Sequence, residues 1–135
     1  MFNIDVQSRT PAWEQVVNNI EEYVRVGILR PGDRLPSIRE LTAELGINPN
    51  TIQKAYNELN SRNITVSVAG RGCFVSRNVY DAIKNKAEKR LGELEKLTKE
   101  LYLSGISRED ISGCVIKTMD VVDQQKNNTE KSAER

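Results

Sequence analysis

The first third of the chain shows an apolar pattern with helical spacing after a short alternating segment. Hydrophobic and polar residues alternate over residues 2–6, which predicts a short extended segment. One apolar stripe then runs through residues 13–24 and predicts a first helix. We expect Thr10 to act as the N-cap and Pro11 as the first helical residue, because proline at that position loses no needed hydrogen bond. Gly27 is placed to end this helix.

A shorter helix is predicted after a tight turn. Residues 31–32 are Pro-Gly, which suits a type II turn because its third position needs a positive φ. Ser37 and Glu40 have the spacing of a capping box, in which each side chain bonds the other residue's backbone amide. The second helix is therefore expected to begin after Ser37 and to stop at Gly46.

A third helix follows almost at once. Asn48 is its predicted N-cap and Pro49 its first residue. Asn63 can adopt the left-handed conformation that often ends a helix, so the helix should stop at residues 62–63. The apolar stripe of this helix consists of Ile52, Ala55, Tyr56 and Leu59.

The remaining chain divides into a hairpin and a helical region. Residues 64–68 and 73–75 are predicted strands, joined by a turn over residues 69–72. Further on, one helix of roughly 25 residues is predicted to end near Leu101, followed by a last helix capped by Ser107. The polar residues 123–135 have no apolar anchors and predict a disordered tail.

Composition excludes several classes of function. The 135 residues contain 20 Lys and Arg, 19 Asp and Glu, and no His. Without histidine no Ser-His-Asp or Cys-His nucleophile can form, so we expect no enzyme, no cofactor and no metal site. The two cysteines, Cys73 and Cys114, are expected as reduced thiols in the cytoplasm. No apolar run is long enough to predict a membrane span.

The order of the elements predicts an α+β, mostly α, architecture: an N-terminal winged helix-turn-helix followed by a C-terminal helical hairpin that dimerises. The third helix would leave Asn50, Gln53, Lys54 and Asn57 on its outer face, and amide and amino groups of this kind bind base edges and phosphates. Residues 1–76 carry 8 basic and 8 acidic side chains, so DNA binding depends on where the charges lie. The cations expected to matter are Arg39, Lys54, Arg62, Arg71 and Arg77.

A specific motif carries a family resemblance. From Gly27 the sequence reads GILRPGDRLPSIRELTAELGINPNTIQKAYNEL, and from Gly70 it reads GRGCFV. These stretches closely resemble the DNA-binding domain of GntR-family bacterial transcription regulators, over about the first 76 residues. The segment INPNTIQKAY is similar to the YtrA-type subgroup, whose C-terminal region is short and contains two helices. The resemblance implies a DNA-binding domain at 1–76, with the helix-turn-helix at about 37–62 and the wing at about 64–76.

The resemblance also implies which residues contact DNA. Together with the helix-face and capping arguments, it assigns the contacts to Ser37, Arg39, Asn48, Asn50, Thr51, Gln53, Lys54, Gly70, Arg71 and Gly72. Pro49, Asn63 and Cys73 depart from the arginine, glycine and threonine common in the family, which leaves the operator sequence open. Two alternatives without a DNA contact remain open: Arg39 as a solvated surface charge, and Ser37 as a helix cap only.

Residues 77–122 are predicted to form a two-helix dimerisation region. Its leucine stripe could pack within the chain, but so short an appendage cannot bury the stripe alone, and a symmetric dimer is the simpler solution. The expected interface residues are Ile83, Ala87, Leu91, Leu94, Leu97, Leu101, Ile111 and Val115.

These features predict a homodimeric repressor that binds an inverted repeat in double-stranded DNA. The YtrA-type resemblance implies control of a transporter operon, while the small-molecule effector stays unknown. The alternative is a winged-helix module for protein contacts or scaffolding without a specific operator. Convergence of Arg39, Lys54 and Arg71 on one face would favour DNA.

Overall fold

The computed structural model describes residues 2–133 of the chain. Compact packing divides it into two units, with the division between Lys86 and Ala87. The first unit contains three helices, a two-stranded hairpin and most of a fourth helix, and the second contains two further helices. A connecting helix begins in the first unit and extends past the division.

The first unit is built on helices α1 (Ala12–Arg25), α2 (Ile38–Leu45) and α3 (Pro49–Ser61). Their apolar stripes meet in one core, in which Ile20, Leu41 and Ile52 are fully buried. The predicted stripe of α3 is confirmed, because all four of its apolar residues are buried. Burial of these faces supplies the main stabilisation, since the short α2 and α3 could not persist alone in water.

Local sequence signals set the limits of α2 and α3. The Ser37–Glu40 capping box is present, and Gly46 ends α2 in the left-handed conformation. The side chain of Asn48 caps α3 by accepting a hydrogen bond from the amide of Asn50 at 2.8 Å. Asn63 has a φ of 61°, as predicted for the end of the helix.

The wing is the antiparallel hairpin of β1 (Thr65–Val68) and β2 (Gly72–Val75), in which Val66 pairs with Phe74. The segment before α2 lies against the other side of β2. The Val75 amide donates to the Asp33 carbonyl at 2.7 Å, and the Leu35 amide donates to the Cys73 carbonyl at 2.8 Å. The wing base is therefore joined by backbone hydrogen bonds to the residues that lead into α2.

The cap predicted for the N-terminus of α1 is wrong. Pro11, not Thr10, is the N-cap of α1, and no side chain caps this end of the helix. Instead the Gln15 side-chain amide donates to the Thr10 carbonyl at 2.8 Å. The predicted extended segment at residues 2–6 does not belong to the described sheet, which consists of β1 and β2. Phe2 still packs on the core by contacting Tyr23 edge-to-face.

The first unit extends about ten residues past the predicted boundary at residue 76. Helix α4 (Val79–Glu88) follows the wing, with Val79 fully buried and Ile83 packed against the same core. This contact within the chain accounts for Ile83, which the sequence assigned to a dimer interface. Pattern analysis placed the change at the composition shift, whereas the core decides where the unit ends.

A buried carboxylate links α1, α3 and α4. Glu21 is only 2% exposed, and its oxygens accept hydrogen bonds from Arg62 at 3.1 Å and Lys86 at 3.1 Å. Burial lowers the pKa of Arg62, but its hydrogen bonds to Glu58 and Glu21 outweigh that effect and raise it overall. Arg62 was expected among the DNA-binding cations, and the structure uses it within the protein instead.

The second unit contains α5 (Leu91–Leu103) and α6 (Arg108–Ala133). The single helix predicted to end near Leu101 is wrong, because a turn at residues 89–90 separates α4 from α5. In that turn the Arg90 amide donates to the Ala87 carbonyl at 2.9 Å. As predicted, the hydroxyl of Ser107 caps α6 by accepting from the Asp110 amide at 3.0 Å.

The disordered tail predicted for residues 123–135 is wrong where the structure describes it. α6 continues to Ala133, while Glu134 and Arg135 lie outside the described residues. The segment contains no glycine or proline and several good helix formers, so backbone hydrogen bonding continues without apolar anchors. Within residues 2–133, no helix combines the length and apolar character that a bilayer crossing needs.

Candidate nucleic-acid interface

The first unit carries a groove between the start of α2, the outer side of α3 and the wing. The groove has a volume of about 580 Å³. Six of the ten predicted DNA-contacting residues line it: Ser37, Arg39, Gln53, Gly70, Arg71 and Gly72. Residues from three separate elements, up to 35 positions apart in the sequence, therefore meet at one surface.

The first wall of the groove is the N-terminal turn of α2. The Ser37 hydroxyl accepts from the Glu40 amide at 3.0 Å, and the Glu40 carboxylate accepts from the Ser37 amide at 3.4 Å. This reciprocal pair fixes the turn from which the exposed Arg39 projects. Because this turn is already ordered, a contact through Arg39 would order its side chain but not the backbone that carries it.

The outer side of α3 carries a row of amide side chains. The Gln53 side-chain amide donates to the Asn57 side-chain oxygen at 2.8 Å, one helical turn further along. Both residues are exposed, and Gln53 faces the groove. Glutamine and asparagine amides match the donor and acceptor pattern that adenine presents in the major groove.

The remaining predicted contacts on α3 lie outside the groove lining. Asn48 and Asn50 are exposed at the N-terminus of the helix, and Thr51 is half-buried beside them. Lys54 projects to another side, where its ammonium group lies 4.6 Å from the centre of the Trp13 ring. This cation–π contact places Lys54 against Trp13 of α1, and Lys54 does not line the groove with Arg39 and Arg71. The expected convergence of all three cations on one face is therefore not seen, and only the two arginines share the groove.

The wing tip forms the opposite wall. Gly70 and Gly72 have φ values of 75° and 118°, which residues other than glycine rarely adopt. The turn is closed by the Arg71 amide, which donates to the Val68 carbonyl at 3.0 Å. The exposed Arg71 guanidinium is thereby carried at the tip of a two-stranded ribbon.

Sequence reasoning did not assign Arg34 or Tyr56 to the site, although both line the groove. Arg34 occupies the variable position of the P-G-D-x-L-P segment, and its basic character beside this motif was the only signal available. Tyr56 was assigned to the core, where it is 4% exposed, but its hydroxyl also donates to the Pro36 carbonyl at 2.6 Å. Tyr56 thus holds the segment before α2 against α3.

The surroundings of Tyr56 suppress its ionisation. Burial raises the pKa of its phenol well above the usual range, and the nearby Cys73 and Glu40 add to the effect. Since the raised pKa belongs to the folded state, the stability that it contributes is present below the ordinary tyrosine pKa of about 10. That stability is lost as the pH rises further and the unfolded phenol ionises.

We expect Tyr56→Phe to lower the free energy of unfolding by about 1 kcal/mol near pH 7, because one hydrogen bond is lost. Above about pH 10 the stabilities of the two proteins should converge, since phenylalanine cannot ionise. Urea unfolding at pH 7, 9 and 11 measures both effects. Tyr80→Phe is the matched control, because Tyr80 is 52% exposed. A constant difference between Tyr56→Phe and the parent protein across this range would contradict the account.

Comparison with known proteins identifies the family. The family profile described as "Bacterial regulatory proteins, gntR family" matches residues 12–75, the part that contains the groove. The HTH-type transcriptional repressor YtrA of Bacillus subtilis is 36% identical over 112 residues, covering 82% of this chain and 86% of that protein. The chain belongs to the GntR family.

Two solved structures of DNA-binding regulators are similar to this chain. YtrA from Sulfolobus acidocaldarius is 33% identical to this chain. The alignment covers 90% of this chain and 98% of the YtrA chain, and the TM-score is 0.55. The DNA-binding domain of AraR in complex with operator ORX1 is 29% identical to this chain. The alignment covers 56% of this chain and 96% of the AraR chain, and the TM-score is 0.52.

The family is one of DNA-binding transcriptional regulators and not of enzymes. The predicted winged helix-turn-helix with a two-strand wing and C-terminal helices is confirmed. Among the described side chains, no group of three or more His, Cys, Asp or Glu could hold a metal ion. The roles of the individual groove residues remain predictions.

Proposed function

We propose that this protein is a transcriptional repressor whose groove lies against operator DNA. The observation that carries the proposal is the convergence of Arg39, Gln53 and Arg71 at one surface. Guanidinium groups bind phosphates, and the Gln53 amide suits a base edge, so the groove combines positioning and reading. Similarity to repressors such as YtrA supports the direction of regulation.

The charge distribution supports DNA as the ligand of this groove. Its described lining contains three arginines and no carboxylate, although residues 1–76 carry equal numbers of basic and acidic side chains. Several acidic groups of the unit are used elsewhere, since Glu21, Glu22 and Glu58 pair with Arg25 and Arg62. The groove therefore presents local positive charge on a domain that is neutral overall.

We further propose that the protein acts as a homodimer formed through the second unit. The side chains of Leu91, Leu94, Leu97, Leu101 and Val115 are 38–61% exposed in the single chain. Together with Ile111 they form an apolar surface on α5 and α6 that water contacts directly. Such surfaces are rare on monomers, and a symmetric interface between two copies would bury this one.

A dimer sets the form of the operator. Two copies related by a two-fold axis would present two α3 helices to two half-sites, so the operator should be an inverted repeat. Each subunit offers few phosphate contacts, and the second half-site would supply the affinity that one subunit lacks. The YtrA-type sequence pattern supports a transporter operon as the regulated gene set.

Selection of random duplexes by the purified protein tests this function. We expect an enriched inverted repeat with a fixed half-site spacing, bound far more tightly than a scrambled duplex of the same length. Equal affinity for the selected and scrambled duplexes would contradict the operator and favour a winged-helix scaffold without sequence preference. Binding to an unpaired half-site alone would contradict the dimer.

A further inference from the structure

Arg34 lines the groove from the segment before α2, and no sequence motif gives it a role. Its backbone neighbours are fixed from both sides, because Asp33 and Leu35 are hydrogen-bonded to β2 and Arg34 itself forms a bridge with Phe74. Leu35 is buried, whereas Arg34 is exposed. The guanidinium therefore extends from an immobilised backbone towards the wing.

A glycine of the wing makes room for this side chain. A Cβ atom on Gly72 would lie 3.1 Å from Nε of Arg34 and 3.6 Å from one of its terminal nitrogens. A contact as short as 3.1 Å would require the Arg34 side chain to move. The guanidinium can lie against the backbone of Gly72 because glycine has no side chain. Glycine at position 72 thus has two effects: it allows the positive φ of the turn, and it leaves space for the Arg34 guanidinium.

No carboxylate within the described part of the chain neutralises the charge of Arg34. Among the described residues, no carboxylate pairs with Arg34, Arg39 or Arg71. Other cations of the unit, such as Arg62 and Lys86, are paired with Glu21. The three groove arginines come from the segment before α2, from α2 and from the wing, and their shared groove has room for an anion.

We propose that Arg34 binds a DNA phosphate and that Gly72, by having no side chain, leaves the Arg34 guanidinium the space to occupy the binding position. This inference rests on the proposed function of the groove. Arg34 would add a phosphate contact to those of Arg39 and Arg71, and it would act on any duplex because phosphates carry no sequence information. Gly72 acts through Arg34 and is a positioning residue.

The test compares Arg34→Ala and Arg34→Lys with the parent protein, by fluorescence anisotropy on the selected and scrambled duplexes over a range of salt concentrations. We expect Arg34→Ala to weaken binding to both duplexes by about tenfold per half-site. The plot of log affinity against log salt should become less steep by about one per subunit. Arg34→Lys keeps the charge and should keep the slope. Arg9→Ala, which removes an exposed arginine outside the groove lining, should change neither.

The outcomes separate this inference from the function on which it depends. If the parent protein does not distinguish the two duplexes, the operator function fails. If the parent does distinguish them and Arg34→Ala binds as well as the parent with the same salt slope, Arg34 contacts no phosphate. Loss of affinity with an unchanged slope and a lower melting temperature would indicate a structural role and would also overturn the inference.

A double-mutant cycle tests the role of Gly72 separately. Gly72→Ala should displace the guanidinium and weaken DNA binding in the parent background. In the Arg34→Ala background the same substitution should cost much less, because there is no guanidinium left to displace. Strain from the positive φ acts in both backgrounds and cancels in the cycle. Equal losses in the two backgrounds would show that Gly72 acts on the wing alone.

Discussion

Replacing Arg39 and Gln53 together by alanine should reduce the affinity for the selected operator by at least about 100-fold, equivalent to about 3 kcal/mol. Both residues line the groove, where in the proposed function Arg39 would contact a phosphate or a base from α2 and the Gln53 amide would read a base from α3. Both side chains are exposed, so their truncation should leave the core and the melting temperature unchanged. Titration of the selected and scrambled duplexes measures the effect.

The single variants divide this effect between reading and positioning. Gln53→Ala should lower the affinity for the selected duplex more than for the scrambled one, because an amide reads bases. A fall in both affinities together is expected for Arg39→Ala if its partner is a phosphate. The matched control removes an arginine and an amide from exposed positions outside the groove lining, Arg9→Ala with Asn18→Ala. Undiminished operator recognition by the Arg39–Gln53 double variant would remove the basis for assigning DNA to this groove.

Placing a charge in the leucine stripe of α5 should dissociate the proposed dimer. Leu97→Lys puts an ammonium group among Leu94 and Leu101, which lie on the same face of the helix. Removing one leucine from an apolar interface costs about 1.5–3 kcal/mol of association free energy, and the substitution removes one from each of the two copies. Burying the ammonium group of lysine adds a further unfavourable term. We expect a monomer by sedimentation, and a loss of operator affinity of at least about 100-fold because one half-site is no longer held by the other.

Leu103 provides the matched control for this experiment. It lies on the same helix, is 77% exposed and points to the side opposite Leu94, because nine residues at 100° each amount to half a turn beyond two full turns. Leu103→Lys should therefore leave both the oligomeric state and operator binding unchanged. Dimers that persist in Leu97→Lys would locate the interface elsewhere. Monomers that still bind the full operator with parental affinity would show that dimerisation is not needed for recognition.

Local signals predicted the helix-turn-helix well because they act over a few residues. Ser37 and Glu40 bond each other across three positions, Asn48 bonds the amide of Asn50, and Gly46 and Asn63 adopt positive φ as expected. The apolar stripe of α3 was readable because its period matches the helix. These features depend on neighbours in the chain, so the sequence contains all the information that they need.

The errors arose where local propensity leaves two outcomes open. The leucine-rich region reads as one continuous helix, but a turn at residues 89–90 divides it. The polar residues after Val122 read as a tail, but nothing in them breaks a helix, and α6 continues. At the N-terminus of α1 either Thr10 or Pro11 could be the N-cap. Pro11 takes that position, and the side-chain amide of Gln15 donates to the Thr10 carbonyl.

The sequence alone determined that this protein is a winged helix-turn-helix regulator, because the caps, the helical periods and the P-G-D-x-L-P-S segment are all encoded within short stretches of chain. Only the tertiary structure decided which charges are available to a ligand. Arg62 and Lys86 are paired with the buried Glu21, Lys54 lies on Trp13, and the Arg34 guanidinium lies against Gly72 in the groove. The reason is that ion pairing and close packing depend on distances between residues far apart in the chain, and those distances exist only after folding.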